Sequence, residues 1–224
     1  MQRRLFAPTL FLALVSTSCL STSEEVDTLK SVDDLVGRIE LLHFEIELAK
    51  TRSEDALDSL TGLASGEFRG DPVEAFEQLI AAVKLSEKQA ESLQDQVGPM
   101  HSSAERVFAQ WQTDADELRI DSLRGRSMAR LAETRERYQA ILVSLDAAVQ
   151  ALSSFNVGLR DHATYLEHDF NSASVAAIQP EIQSLARWSE EVELRLDACM
   201  AAAERYVAAS ALPGTVEVAQ AQRD

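Results

Sequence analysis

The sequence predicts an all-α fold, an elongated antiparallel bundle or coiled coil of about four long helices. Three observations predict it. The chain has 8 glycines and 5 prolines among 224 residues, roughly half the usual ~12% share of these turn formers, which is too few for the tight turns of a β-sandwich or barrel. Apolar residues recur at alternating steps of three and four along four stretches, the 3.5-residue spacing of a packed helical seam. The joints between stretches are short, and short joints make successive helices antiparallel neighbours.

The first stripe is Val32, Leu35, Ile39, Leu42, Ile46, Ala49, Ser53, Ala56, Leu60 and Leu63. It stops at Ser65-Gly66. Asp71-Pro72 then supplies an N-cap and a first-turn proline for the next helix. The second stripe runs from Leu79 to Leu118 and crosses Gly98-Pro99 without losing phase. This predicts one helix kinked at Pro99, because two separate helices would have little reason to keep register across a loop. A joint is expected from Arg119 to Gly125. The third stripe runs from Leu131 to Leu166 through Tyr138, Leu145, Leu152 and Phe155. Asn171-Ser172 caps the fourth, which runs from Val175 to Tyr206, with Pro180 off the stripe and expected to kink the helix without ending it. The segments span about 40, 48, 45 and 38 residues, or ~55–70 Å each at 1.5 Å per residue. The polar stripe members Ser53, Ser86, Asp114 and Ser189 mark non-uniform packing. After Leu212-Pro213-Gly214 no stripe remains, so residues 212–224 are expected to be a disordered tail.

The N-terminus reads as an address. Arg3 and Arg4 precede an eleven-residue apolar run, Leu5–Val15, too short to span a ~30 Å bilayer core as a helix. Small residues Ser16, Thr17 and Ser18 lead to Cys19, as at a signal-peptide cleavage site. The order resembles a bacterial lipoprotein signal, which implies that residues 1–18 are removed and Cys19 is acylated. Ordinary secretory cleavage near Ser18, leaving a free Cys19, is the alternative. No Asp follows Cys19, and in lipoproteins of the enterobacterial type that implies sorting to the outer membrane. Residues 19–25 then form a tether and 26–211 the helical domain. Processing leaves 19 Lys+Arg against 37 Asp+Glu, so a charge of −16 becomes −18. An acidic chain of this kind disfavours nucleic acid as a partner.

No catalytic constellation stands out. There is no G-x-S-x-G, no H-E-x-x-H and no phosphate-cradling glycine loop. Glu40-x-x-His43 is one half of a di-metal bundle motif that needs two copies, and reads as a solvated pair on a helix flank. Asp161-His162 and Glu167-His168-Asp169 are dense in His and carboxylate but lack metal-ligand spacing. Cys199 sits on a core stripe and is expected to be a buried, unreactive thiol. No cofactor and no metal site are therefore expected.

Charge is uneven. Arg119, Arg124, Arg126, Arg130, Arg135 and Arg137 fall within nineteen positions, against only Asp121, Glu133 and Glu136. Two readings compete. The arginines pair internally, for example Glu133 with Arg137 and with Arg130 at helical spacing, or they form a docking patch for an anionic partner such as another envelope protein. If the chain is tethered at Cys19, this joint is expected to project away from the membrane.

Val107–Trp111, Ser122–Ser127, Leu131–Tyr138 and Tyr165–Asn171 together resemble the DUF2959 family over about residues 60–210. These are bacterial, mostly signal-bearing helical proteins of unknown function. The resemblance implies a helical fold and an envelope location, and supplies no catalytic residues. The resulting expectation is a non-enzymatic, lipid-anchored periplasmic scaffold, spacer or adaptor. A bundle binding a small ligand or lipid in a pocket between its helices is the alternative, and the oligomeric state stays open.

Overall fold

The computed structural model describes residues 22–68 and 70–210, with side chains from residue 30 onward. The signal segment 1–18, Cys19 and the tail 212–224 lie outside the described residues. Five helices follow in order: α1 Thr22–Ser65, α2 Pro72–Glu117, α3 Asp121–His168, α4 Ser172–Ala177 and α5 Gln179–Ser210. No strand occurs among the described residues. Helix α1 begins at Thr22, within the stretch expected as a tether.

The four long helices form one up-and-down bundle. Each packs on two neighbours, α1 on α2 and α5, α3 on α2 and α5, with little direct contact across the α1–α3 diagonal. The stripes face inward as their spacing requires, except at Asp114 near the end of the second, which is exposed. Leu35, Ile39, Leu42 and Ile46 of α1 meet Leu79, Val83 and Leu93 of α2, Ile141, Leu145, Leu152 and Leu159 of α3, and Leu196 of α5 in one continuous core. All of these are fully enclosed. At ~25 cal/mol per Å² such burial is the main force holding the helices together.

The joints have local causes. At the end of α1, Gly66 takes φ +76°, and Glu67 N donates to Gly62 O at 2.9 Å, the bond of a Schellman turn. Asp71 Oδ1 accepts from Val73 N at 2.7 Å and Pro72 opens α2, as expected. Asn171 caps α4 by accepting from Ala173 N at 2.9 Å and Ser174 N at 3.1 Å. Phe170 stacks at 5.5 Å on Phe76, and Gln179 Nε2 donates to Ala64 O at 2.7 Å. These contacts close the end of the bundle that holds the α1–α2 and α3–α4 joints.

Helix α2 runs unbroken through Pro99, and Met100 beyond it is 1% exposed. Pro180 behaves differently. The helix expected to bend there is interrupted at Ile178, where φ is −91° and ψ 0°, and Pro180 becomes the second residue of α5. A proline has no N–H for the carbonyl four residues back and its ring crowds that group, whereas a first helical turn tolerates both effects. The fourth segment is therefore a short helix and a long one. The joint expected to reach Gly125 is also shorter, because α3 already starts at Asp121 and Gly125 lies inside it.

The bundle also corrects the placing of the arginines. Gln89 of α2 donates to Glu45 of α1, so these two positions lie side by side. From there α2 continues for ~42 Å to Glu117 and α1 runs back for ~35 Å to Thr22, at 1.5 Å per residue. The α2–α3 turn and the first turn of α1 thus share one end of the bundle. The Arg-rich joint is at the end of the bundle where α1 begins, not at the opposite end.

Candidate functional site

The six arginines do not form one surface. Arg124 is built into the α2–α3 turn, where its Nη1 donates to Leu118 O at 3.2 Å and Nη2 pairs with Asp121. It thereby satisfies a carbonyl that the end of α2 leaves without a helical partner. Arg135 reaches across to α2. Its Nη2 donates to Phe108 O at 3.4 Å, and its guanidinium carbon lies 5.7 Å from the Phe108 ring centroid. Arg137 pairs with Glu133 at 3.8 Å and donates to Thr134 Oγ1 at 3.2 Å. Arg119, Arg126 and Arg130 are exposed and make no ion pair among the described residues. The expected Glu133–Arg137 pair is present; Glu133 is not paired with Arg130. Nearby carboxylates Asp114, Asp116 and Glu117 are exposed on the end of α2, so the turn carries both signs of charge.

Above this turn the core turns aromatic. Tyr138 meets Phe108 edge-on at 5.7 Å and Tyr206 at 6.4 Å. Burial pushes both tyrosines up to about 12. The Tyr138 hydroxyl is enclosed without a hydrogen-bond partner.

A buried polar contact crosses the middle of the core. Ser86 Oγ of α2 donates to Asn156 Oδ1 of α3 at 2.7 Å, with the two residues 0% and 3% exposed. The Asn156 Nδ2 has no partner. Ser86 was legible as a polar member of its stripe; Asn156, one step beside Phe155, was not.

An open groove of about 460 Å³ lies between α3 and α5. Val157, Gly158, Asp161, Glu181, Leu185 and Trp188 contribute to its lining. Gly158 lets the helices approach, since a Cβ there would stand 2.7 Å from Leu185 Cδ2 and 3.3 Å from Trp188 Cζ3. Val157 and Trp188 remain 61% and 53% exposed. Both lie off the stripes, and that misplacement of large apolar residues is the sequence signal for this groove. His162, on its edge, has Nδ1 2.6 Å from Gly158 O, which satisfies one ring nitrogen locally.

The remaining titratable candidates are dispersed. His43 lies 3.9 Å from Glu204 on α5, and His168 is exposed at the end of α3. Among the described residues no group of three or more His, Cys, Asp or Glu converges as metal ligands would. Cys199 is fully buried; burial pushes its thiol up to about 11, against a smaller opposing effect from a hydrogen bond with Ser144. A thiol so protonated is a poor nucleophile at neutral pH.

A family model described as a protein of unknown function (DUF2959) matches residues 20–210. No curated protein matches the chain, and no solved structure matches it.

Proposed function

The chain belongs to the DUF2959 family, and on that premise we propose that it is a non-enzymatic helical scaffold or adaptor of the bacterial envelope. In this reading Cys19 is acylated and holds the bundle at the periplasmic face of the outer membrane. The observation that carries the scaffold part is the continuous core, filled along α1, α2, α3 and α5 by enclosed Leu, Ile, Val and Ala. A bundle organised around an interior ligand would instead open a pocket in that seam. The described groove lies outside the seam, on the flank of α3 and α5.

The anchor part rests on the order of residues at positions 3–19. Two or three acyl chains, at ~0.8 kcal/mol per buried CH₂, hold a protein on a membrane stably. With α1 starting at Thr22, the α2–α3 turn then faces the anchoring membrane. The closed end at Gly66–Gly70 and Asp169–Asn171 projects into the periplasm.

Mass spectrometry of the protein extracted from membranes tests the anchor. The expected result is a mature chain starting at an acylated Cys19 and partitioning with the outer membrane. A soluble mature protein with an unmodified Cys19 overturns it. Crosslinking in intact cells tests the adaptor role. A defined envelope partner is expected, and the absence of any crosslinked species overturns it.

A further inference from the structure

We propose that the groove between α3 and α5 docks a basic polypeptide segment, one that presents a Lys or Arg beside an apolar side chain. This specifies the partner class for the adaptor reading above and does not depend on the anchor.

Singly exposed apolar residues are ordinary on protein surfaces. Here two exposed ones, Val157 and Trp188, line one groove floored by Gly158. The Trp188 indole N–H makes no hydrogen bond among the described residues, and half of the side chain is open to solvent. A cation placed over such a ring is attracted by its π-face, and its alkyl stem covers apolar surface.

The charges agree. Asp161 and Glu181 both line the groove, and neither makes an ion pair among the described residues. Glu191 and Asp197, further along the same helix as Glu181, are matched by Arg195 and Lys50. Of the two bases beside the groove, one turns away and the other holds to its rim without pairing a carboxylate among the described residues. Arg160 turns to Glu87, and Arg187 donates to Ser184 Oγ at 3.0 Å. The groove therefore offers two unmatched carboxylates next to an open indole, on a chain of net charge −16 that attracts cations at long range.

The shape favours a chain over a compact ligand. Val143, Gln150 and Val157 occupy one heptad position of α3 and all are exposed. The surface leading into the groove thus runs for ~20 Å along the helix.

The test uses the full chain carrying Cys19→Ser and a fluorescent peptide of alternating Lys and Leu, followed by anisotropy at physiological salt. Asp161→Asn with Glu181→Gln, and separately Trp188→Leu, are expected to weaken binding about tenfold. Glu54→Gln with Asp58→Asn removes the same two charges from the outer face of α1 and is expected to leave binding unchanged. Val157→Ser, at a mostly exposed position, repeats the apolar test should Trp188→Leu unfold. Equal weakening by the α1 variant reduces the effect to bulk charge and overturns the proposal. Undiminished binding by the groove variants, or butylammonium binding as tightly as the peptide, overturns it too. Acylation of Cys19 is read separately on the wild-type chain, so failure of the anchor and failure of the groove are distinguishable.

Discussion

The ring of Trp188 rests against the bare backbone of Gly158, on the neighbouring helix. A Cβ built at Gly158 would come 3.3 Å from Trp188 Cζ3 and 2.7 Å from Cδ2 of the buried Leu185. In an exposed helix, Gly→Ala is worth ~0.5–1 kcal/mol of added stability. At this position overpacking opposes it, by ~1–3 kcal/mol. Gly158→Ala is therefore expected to lower stability by ~1 kcal/mol and Gly158→Val by more, read as a shift of the urea midpoint. Gly37→Ala, where an added Cβ meets nothing within 4 Å, is expected to stabilise.

The Ser86–Asn156 hydrogen bond predicts an asymmetric mutational response. Ser86→Ala leaves Asn156 Oδ1 buried without its donor, beside an Nδ2 that already lacks a partner, which is expected to lower stability by ~1–3 kcal/mol. Replacing both groups removes the polar atoms together, so Ser86→Ala with Asn156→Leu is expected to recover most of that loss. A double-mutant cycle by urea unfolding reads the coupling directly. Additive effects would show that the pair contributes no coupling.

These two pairs mark where sequence reading stops. The inward positions of α1 were legible because each depends only on its own 3.5-residue spacing; Leu35 through Leu63 are buried as their phase dictates. The continuity of α2 across Pro99 was legible for the same reason. Pro180 was misread because phase says nothing about where a missing N–H breaks a helix. The Gly158–Trp188 seat and the Asn156 partner depend on the register between helices, which no single helix encodes. The place of the Arg-rich turn was within reach, since one reversal returns an up-and-down chain to its starting end, where the second turn must lie. Placing it far from Cys19 neglects that parity.

The arginines divide into two classes with different expected effects. Arg135→Ala loses its stacking on Phe108 and the bond to its carbonyl, and is expected to lower stability by ~1 kcal/mol. Arg126→Ala and Arg130→Ala are exposed and unpaired, and are expected to stay within ~0.5 kcal/mol of wild type. Thermal unfolding of the single variants checks this. A large loss from Arg126→Ala would reveal a structural role for that side chain.

Three buried acids make the bundle sensitive to alkali. Burial raises Cys199 to about 11 and Tyr138 and Tyr206 to about 12, from ordinary values of 9.0 and 10.0. Between the unfolded and folded values the unfolded chain has lost protons that the folded one keeps. Stability is then complete below about pH 9 and falls as pH rises from there toward 12. Lys50 acts in the same direction at its own higher range. Its hydrogen bond to Asp197 raises it above 10.5, so the stability it contributes is present below that value and is lost as pH rises through the folded value. Replacing Tyr138 by Phe removes one titrating group and also the unpartnered hydroxyl. Tyr138→Phe is accordingly expected to gain ~1 kcal/mol near neutrality and to flatten the fall above pH 10. Urea unfolding at neutral pH and across the alkaline range reads both effects. A loss of stability at neutral pH would mean that the hydroxyl has a partner after all.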